Sequence, residues 1–173
     1  MLLAAGAALA QTGTPEGVAE RYLAHMYAGE WEEAAKLLDR EALARFAAFA
    51  NSILAQDPSG VLASALFGGQ WAAEGGGDLA PEELFAKFMS RGYMAASSAV
   101  GPLVIDGLEV LGSVREGDDL VHVVVRSWTV VDGVRASTVE AISLRRGAGG
   151  WGVLLSSDVE AMMQIYRSMI SGM

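Results

Sequence analysis

One acid dominates the short catalogue of side chains in this sequence with the type and placing for chemistry. Glu140 falls inside VRASTVEAISLRR, a run that otherwise alternates as a β-strand does. A carboxylate among valines loses part of its hydration, a setting that suits a proton shuttle. The competing reading is a satisfied acid that accepts a hydrogen bond from Ser127 or Thr138. Thr129 lies two residues from Ser127 and so points the same way on a strand. Tyr22 and His25 are spaced to share a helix flank, and His25 with Asp39 or Glu140 could form an acid–base pair across a cavity. A lone histidine on a helix is equally a satisfied surface residue. Trp71, between Gly68-Gly69 and Gly75-Gly76-Gly77, has the surroundings of a gate that closes over a ligand. Trp128, with Arg126 and Val124, is a candidate interface anchor, or a single exposed aromatic covered by arginine stems.

Other chemistries find no support in these residues. There is no cysteine, hence no disulfide, thiolate site or cysteine nucleophile. His25 and His122 are far apart and lack H-x-H or H-E-x-x-H spacing, so no metal site is expected. The glycine-rich segments do not fit a phosphate-binding loop, and no G-x-S-x-G elbow occurs, so no cofactor is expected. The net charge is −9 with scattered Lys and Arg, which disfavours nucleic acid and anionic lipid surfaces. No stretch reaches the roughly 20 continuous apolar residues of a membrane span.

The elements that must position these groups are legible from periodicity. With 173 residues, 52% of them apolar, the chain is sized for one domain with a real core. Thr14-Pro15-Glu16 opens a first helix: a capping hydroxyl, proline in the first turn, then an acid. Gly29 closes it. GEWEEAAKLLD reads as a second helix with Trp31, Ala34, Leu37 and Leu38 on one side. Asp39 caps a third, through Leu54. Residues 61–71 fit a short helix or a packed loop. Pro81 starts a helix that buries Leu84, Phe85, Phe88, Met89 and Met94 and ends at Gly101-Pro102. Trp31 and Trp151 are expected to pack in the core.

Residues 103–156 then write out an antiparallel meander, four apolar runs separated by REGDD, DG and GAGG. A two-residue Asp132-Gly133 turn sets Val131 opposite Val134, Val125 opposite Glu140 and Val123 opposite Ile142. Alternation follows. One face holds Val121, Val123, Val125, Ser127, Thr129 and Val131 with Val134, Ala136, Thr138, Glu140, Ile142 and Leu144, and should receive the helices. The other holds His122, Val124, Arg126 and Trp128 and should meet solvent or a partner. Ser157 or Asp158 caps a terminal helix with a methionine-rich stripe, which reads as adaptable packing or as a lid. The fold class is therefore α+β: N-terminal helices on a strongly curved four-stranded antiparallel meander, plus a C-terminal helix.

YLAHMYAGEWEEAAKLLD, a helix, a tight glycine turn and a second helix, resembles the recurrent opening of the nuclear transport factor 2-like superfamily. GSVREGDDLVHVVVRSW and GGWGVLLSSD are similar to the later strands of its secreted, uncharacterised bacterial members. The resemblance spans most of the chain and is carried by structural motifs. It implies a bent sheet wrapped by helices around a cone-shaped cavity. It also implies a choice of roles, since members include isomerases, dehydratases, hydrolases and non-catalytic binding modules. MLLAAGAALA, ending in Ala8-Leu9-Ala10, matches the cleavage end of a secretory signal without its basic start. Residues 1–10 are thus expected to be a truncated signal peptide and residues 11–173 a single domain, periplasmic or secreted, with a cytoplasmic location as the alternative. The expected function is binding of a small apolar ligand or of a protein, a homodimer through the sheet face included. The alternative is a small acid–base enzyme built on Glu140.

Overall fold

In the computed structural model the chain is described at residues 13–57, 59–68, 79–100, 104–131 and 133–171. Trp71 and the N-terminal segment lie outside these residues. The order is α1 (Pro15–Ala28), α2 (Trp31–Ala35), α3 (Arg40–Gln56), α4 (Val61–Phe67), α5 (Pro81–Val100), β1 (Val104–Glu116), β2 (Leu120–Val131), β3 (Val134–Gly147), β4 (Gly150–Val153) and α6 (Ser157–Ser171). The sheet is an antiparallel meander in the order β1-β2-β3-β4, so the class is α+β, as the sequence predicts.

Local chemistry sets the helix ends. The Thr14 hydroxyl accepts the Gly17 N–H at 3.2 Å, and Gly29 closes α1 in the left-handed region at φ 74°. The Asp39 carboxylate accepts the Ala42 N–H at 3.0 Å and starts α3. The second helix is shorter than its sequence pattern suggests. It stops at Ala35 because the next residues are claimed by the sheet edge: Asp39 N–H donates to the Val153 carbonyl and Val153 N–H to the Leu37 carbonyl. Leu38 thereby forms a parallel bridge with Val153. A Cβ on Gly152 would come within 2.6 Å of the Asp39 Cα. Only glycine lets this corner lie so close to β4. Arg145 reaches across to Asp39 at 2.6 Å and Glu41 at 2.9 Å, fixing the corner to β3.

The β2–β3 register matches the one counted from the turn: Val131 faces Val134, Val125 faces Glu140 and Val123 faces Ile142. Register shifts in β1 between Ile105 and Gly107 and between Val110 and Gly112 mark bulges, which bend a strand and raise its twist. The inner face is only partly covered. Val121, Val123, Val125, Ser127 and Leu144 are buried, whereas Val134, at 69% exposure, Ala136 and Thr138 are exposed. Beneath the sheet the core is aromatic: the Phe46 ring lies 5.4 Å from Phe85, 5.2 Å from Phe88 and 6.2 Å from Phe49. Trp151 joins this core as expected, and Met94 does not, being exposed. No helix among the described residues is long and apolar enough to cross a membrane.

Candidate functional site

Two chambers lie between the helices and the inner face of the sheet. The larger has a volume of about 710 Å³. Met26 and Tyr27 of α1, Trp31 of α2 and Leu66 of α4 form part of its wall. Phe88, Met89 and Tyr93 of α5, Ile105 of β1, and Val159 and Met162 of α6 close the rest. Thr129, Arg91 and Asp158, each on a different element, add polar side chains to its lining. The Trp31 and Tyr93 rings meet at 5.5 Å at this wall. Trp31 therefore lines a cavity and is half-buried against Tyr93 of α5, rather than packing in the core as the sequence suggests.

The smaller chamber, about 180 Å³, holds the more interesting chemistry. Tyr22, Glu140 and Ser156 line it together with Leu23, Phe85 and Leu155. It shares Met26, Tyr27, Met89 and Val159 with the larger one. The Tyr27 hydroxyl donates to Glu140 Oε1 at 3.0 Å, a contact between residues 113 apart in sequence. Glu140 thus finds its partner on α1, not in the strand hydroxyls of Ser127 or Thr138. Ser127, only 3% exposed, lies against the Tyr27 hydroxyl. Burial pushes the Tyr22 phenol well above its ordinary range, and the nearby Glu140 charge adds to the shift. Burial likewise raises Tyr27, with Ser127 opposing and Glu140 reinforcing. Both phenols consequently stay protonated and remain donors over the range in which a protein works.

The sequence candidates separate into three groups. Glu140, Tyr22 and Ser127 converge on the smaller chamber or on its Tyr27 wall, while Thr129 lines the larger. Thr138 shares their face but is exposed. His25 lines neither chamber and turns to Glu30 at 2.6 Å. Asp39 is spent on the α3 cap and Arg145, so the pairing of His25 with Asp39 or Glu140 does not form. On the outer face Trp128 lies between two guanidinium groups, Arg126 at 5.8 Å and Arg135 at 5.1 Å. Those arginines are held by Glu109 at 3.2 Å and Asp106 at 2.6 Å. Val124 is half-buried beside them.

Tyr27, Met26, Met89 and Met162 were not among the sequence candidates. Nothing local ties Tyr27 to Glu140: it lies five residues after Tyr22, off that residue's helical face, and 113 residues from its partner. Also unforeseen is a chain on the outer face, where His122 lies 2.9 Å from both Ser143 Oγ and Glu116 Oε2. It has the residue types of a nucleophile, base and acid. However, Ser143 and His122 are cross-strand partners whose backbone is engaged in the ladder, and Glu116 is exposed. Such a site lacks the pre-aimed donors that acyl transfer needs. Among the described residues no three His, Asp or Glu side chains gather as a metal site would require.

No protein-family model matches this sequence, and no curated protein does. Among solved structures, the chain is similar to one named as an NTF2-like transpeptidase from Campylobacter jejuni. The two share 13% identity over 83% of this chain and 100% of that one, with a TM-score of 0.38. Similarity at this level transfers neither residue roles nor activity to this chain.

Proposed function

We propose that this chain is an exported member of the nuclear transport factor 2-like superfamily that binds a small apolar ligand between its helices and sheet without transforming it. The observation that carries the reading is the larger chamber. Its volume of about 710 Å³ falls in the range of small-molecule sites, and its wall is aliphatic, aromatic and methionine-rich. Flexible thioethers at Met26, Met89 and Met162 let such a wall adapt to its occupant. The order of helices and meander supports the family assignment, and Ala8-Leu9-Ala10 supports export. Cell fractionation with a C-terminal tag tests the export.

Binding is tested by titrating the full chain with an apolar fluorophore such as phenylnaphthylamine. The expected result is saturable, single-site binding that Leu66→Glu weakens by roughly 10-fold or more, because a charge in an apolar wall must be desolvated. Binding that Leu66→Glu leaves unchanged contradicts the reading.

Acid–base catalysis is a second reading, favoured by one observation, the Tyr27–Glu140 hydrogen bond beside a second protonated phenol. A base next to neutral donors is the arrangement for moving a proton at a carbonyl or epoxide. It predicts turnover of some enolisable or epoxide substrate that Glu140→Gln abolishes. Pairing of two copies through the outer sheet face is supported by Trp128 and by exposed Val114 and Val139. Light scattering that finds only monomer at high concentration excludes it.

A further inference from the structure

We propose that the ligand is an amphiphile whose head is a hydrogen-bond donor, a hydroxyl or an ammonium group, and that this head docks on the Glu140–Tyr27 pair while its apolar body fills the larger chamber. The inference rests on the binding reading above and adds the chemistry of the head.

Three observations lead to it. The two chambers have Met26, Tyr27, Met89 and Val159 in common, so one molecule that displaces two flexible methionine side chains occupies both. Next, the polar groups of the inner face form a line. Ser127 and Thr129 follow one another on β2, and Glu140 stands on the neighbouring strand opposite Val125. Thr129 belongs to the larger chamber and Glu140 to the smaller, so the line leads from one to the other.

The third observation is the acceptor character of the smaller chamber. Tyr27 donates to Glu140 Oε1 alone, and a carboxylate offers about four lone-pair sites in all. The Tyr27 oxygen already faces Ser127, so the open acceptor sites are those of Glu140. A donor head meets the remaining lone pairs of that carboxylate. A carboxylate or phosphate head meets the charge of Glu140 in a confined apolar setting, where repulsion is weakly screened. The same charge adds to the resistance of Tyr22 and Tyr27 to ionisation.

The experiment is calorimetric titration of the full chain with three ligands of one chain length: decanol, decylamine and decanoate. Decanol and decylamine are expected to bind about 10-fold or more tighter than decanoate, the scale of a hydrogen bond to a charged group. Glu140→Gln, with its fold checked by circular dichroism, should bring the three to within about 3-fold. Tyr27→Phe frees an acceptor site on Glu140 and should preserve the order, so it serves where the glutamine variant does not fold. Equal affinities in the wild-type chain, decanoate binding tightest, or an order that survives Glu140→Gln each overturn the head assignment and leave the apolar chamber a binding site. Failure of all three ligands to bind overturns both.

Discussion

The two faces of β2 are written in nearly the same alphabet and do opposite things. Val121, Val123 and Val125 point inward and are buried, while Val124 on the other side is only half-buried among His122, Arg126 and Trp128. The inner face gains its stability from burial, which needs no particular partner. The outer face is ordered by pairs: Arg126 with Glu109, Arg135 with Asp106, and both guanidinium groups against the Trp128 ring. A valine's position here matters more than its type. Alternation sets which way a side chain points, whereas burial requires something to point at. Val134 and Thr138 share the inner face and are nevertheless exposed.

Substitutions at neighbouring positions of β2 separate its two faces most strongly. Val123→Asp places an unpaired charge in the core and should cost more than about 4 kcal/mol, enough to unfold the chain. Val124→Asp, one residue along, should cost no more than about 1 kcal/mol, since its side chain keeps access to water. Equilibrium urea unfolding of both variants decides; similar costs would mean that the faces are not distinct. Gly152→Ala should follow, at about 1–3 kcal/mol, because its Cβ would press on the backbone of Asp39. An unchanged midpoint would show that the α2–α3 corner is free to retreat. Trp128→Ala should be smaller, about 1 kcal/mol, for two cation–π contacts at exposed arginines.

A pH titration sharpens the same contrast through groups that only the inner side perturbs. Tyr22 and Tyr27 have folded-state pKa values above the ordinary phenol value of 10.0, Tyr22 the more strongly. An unfolded chain therefore releases these protons first as pH rises. The stability contributed by the protonated phenols is complete below about pH 10 and is lost as the pH climbs toward the folded values. Tyr27→Phe should reduce this alkaline loss. Ultraviolet difference absorbance of the phenolates follows it, and an alkaline profile unchanged by the variant would place the Tyr27 hydroxyl in water.

Much of the scaffold is legible in the sequence because its determinants are local. The Thr14 and Asp39 caps, the Gly29 stop and the hairpin register from Asp132-Gly133 each depend on a few adjacent residues. That register also puts Glu140 on the inner face, opposite Val125. The site is less legible because it is assembled from distant pieces. No periodicity joins Tyr27 to Glu140, or places Trp31 beside Tyr93 at a cavity wall. His25 and Asp39 were plausible partners by type, and lost that role to nearer ones, Glu30 and Arg145. The helical stripe of α6 was ambiguous for a physical reason. Met163 packs in the core, while its neighbour Met162 faces the chamber, so one amphipathic helix serves both purposes.

That division among methionines offers the most direct test of the larger chamber as a ligand site. Met26, Met89 and Met162 line it, Met163 is buried in the core, and Met94 is exposed. With methyl-labelled methionine assigned by single substitutions, a titration with decanol should shift the Met26, Met89 and Met162 resonances together along one saturable curve. Met163 and Met94 should stay in place. Shifts confined to Met94, or no saturable shift at the three chamber methionines, would contradict the account.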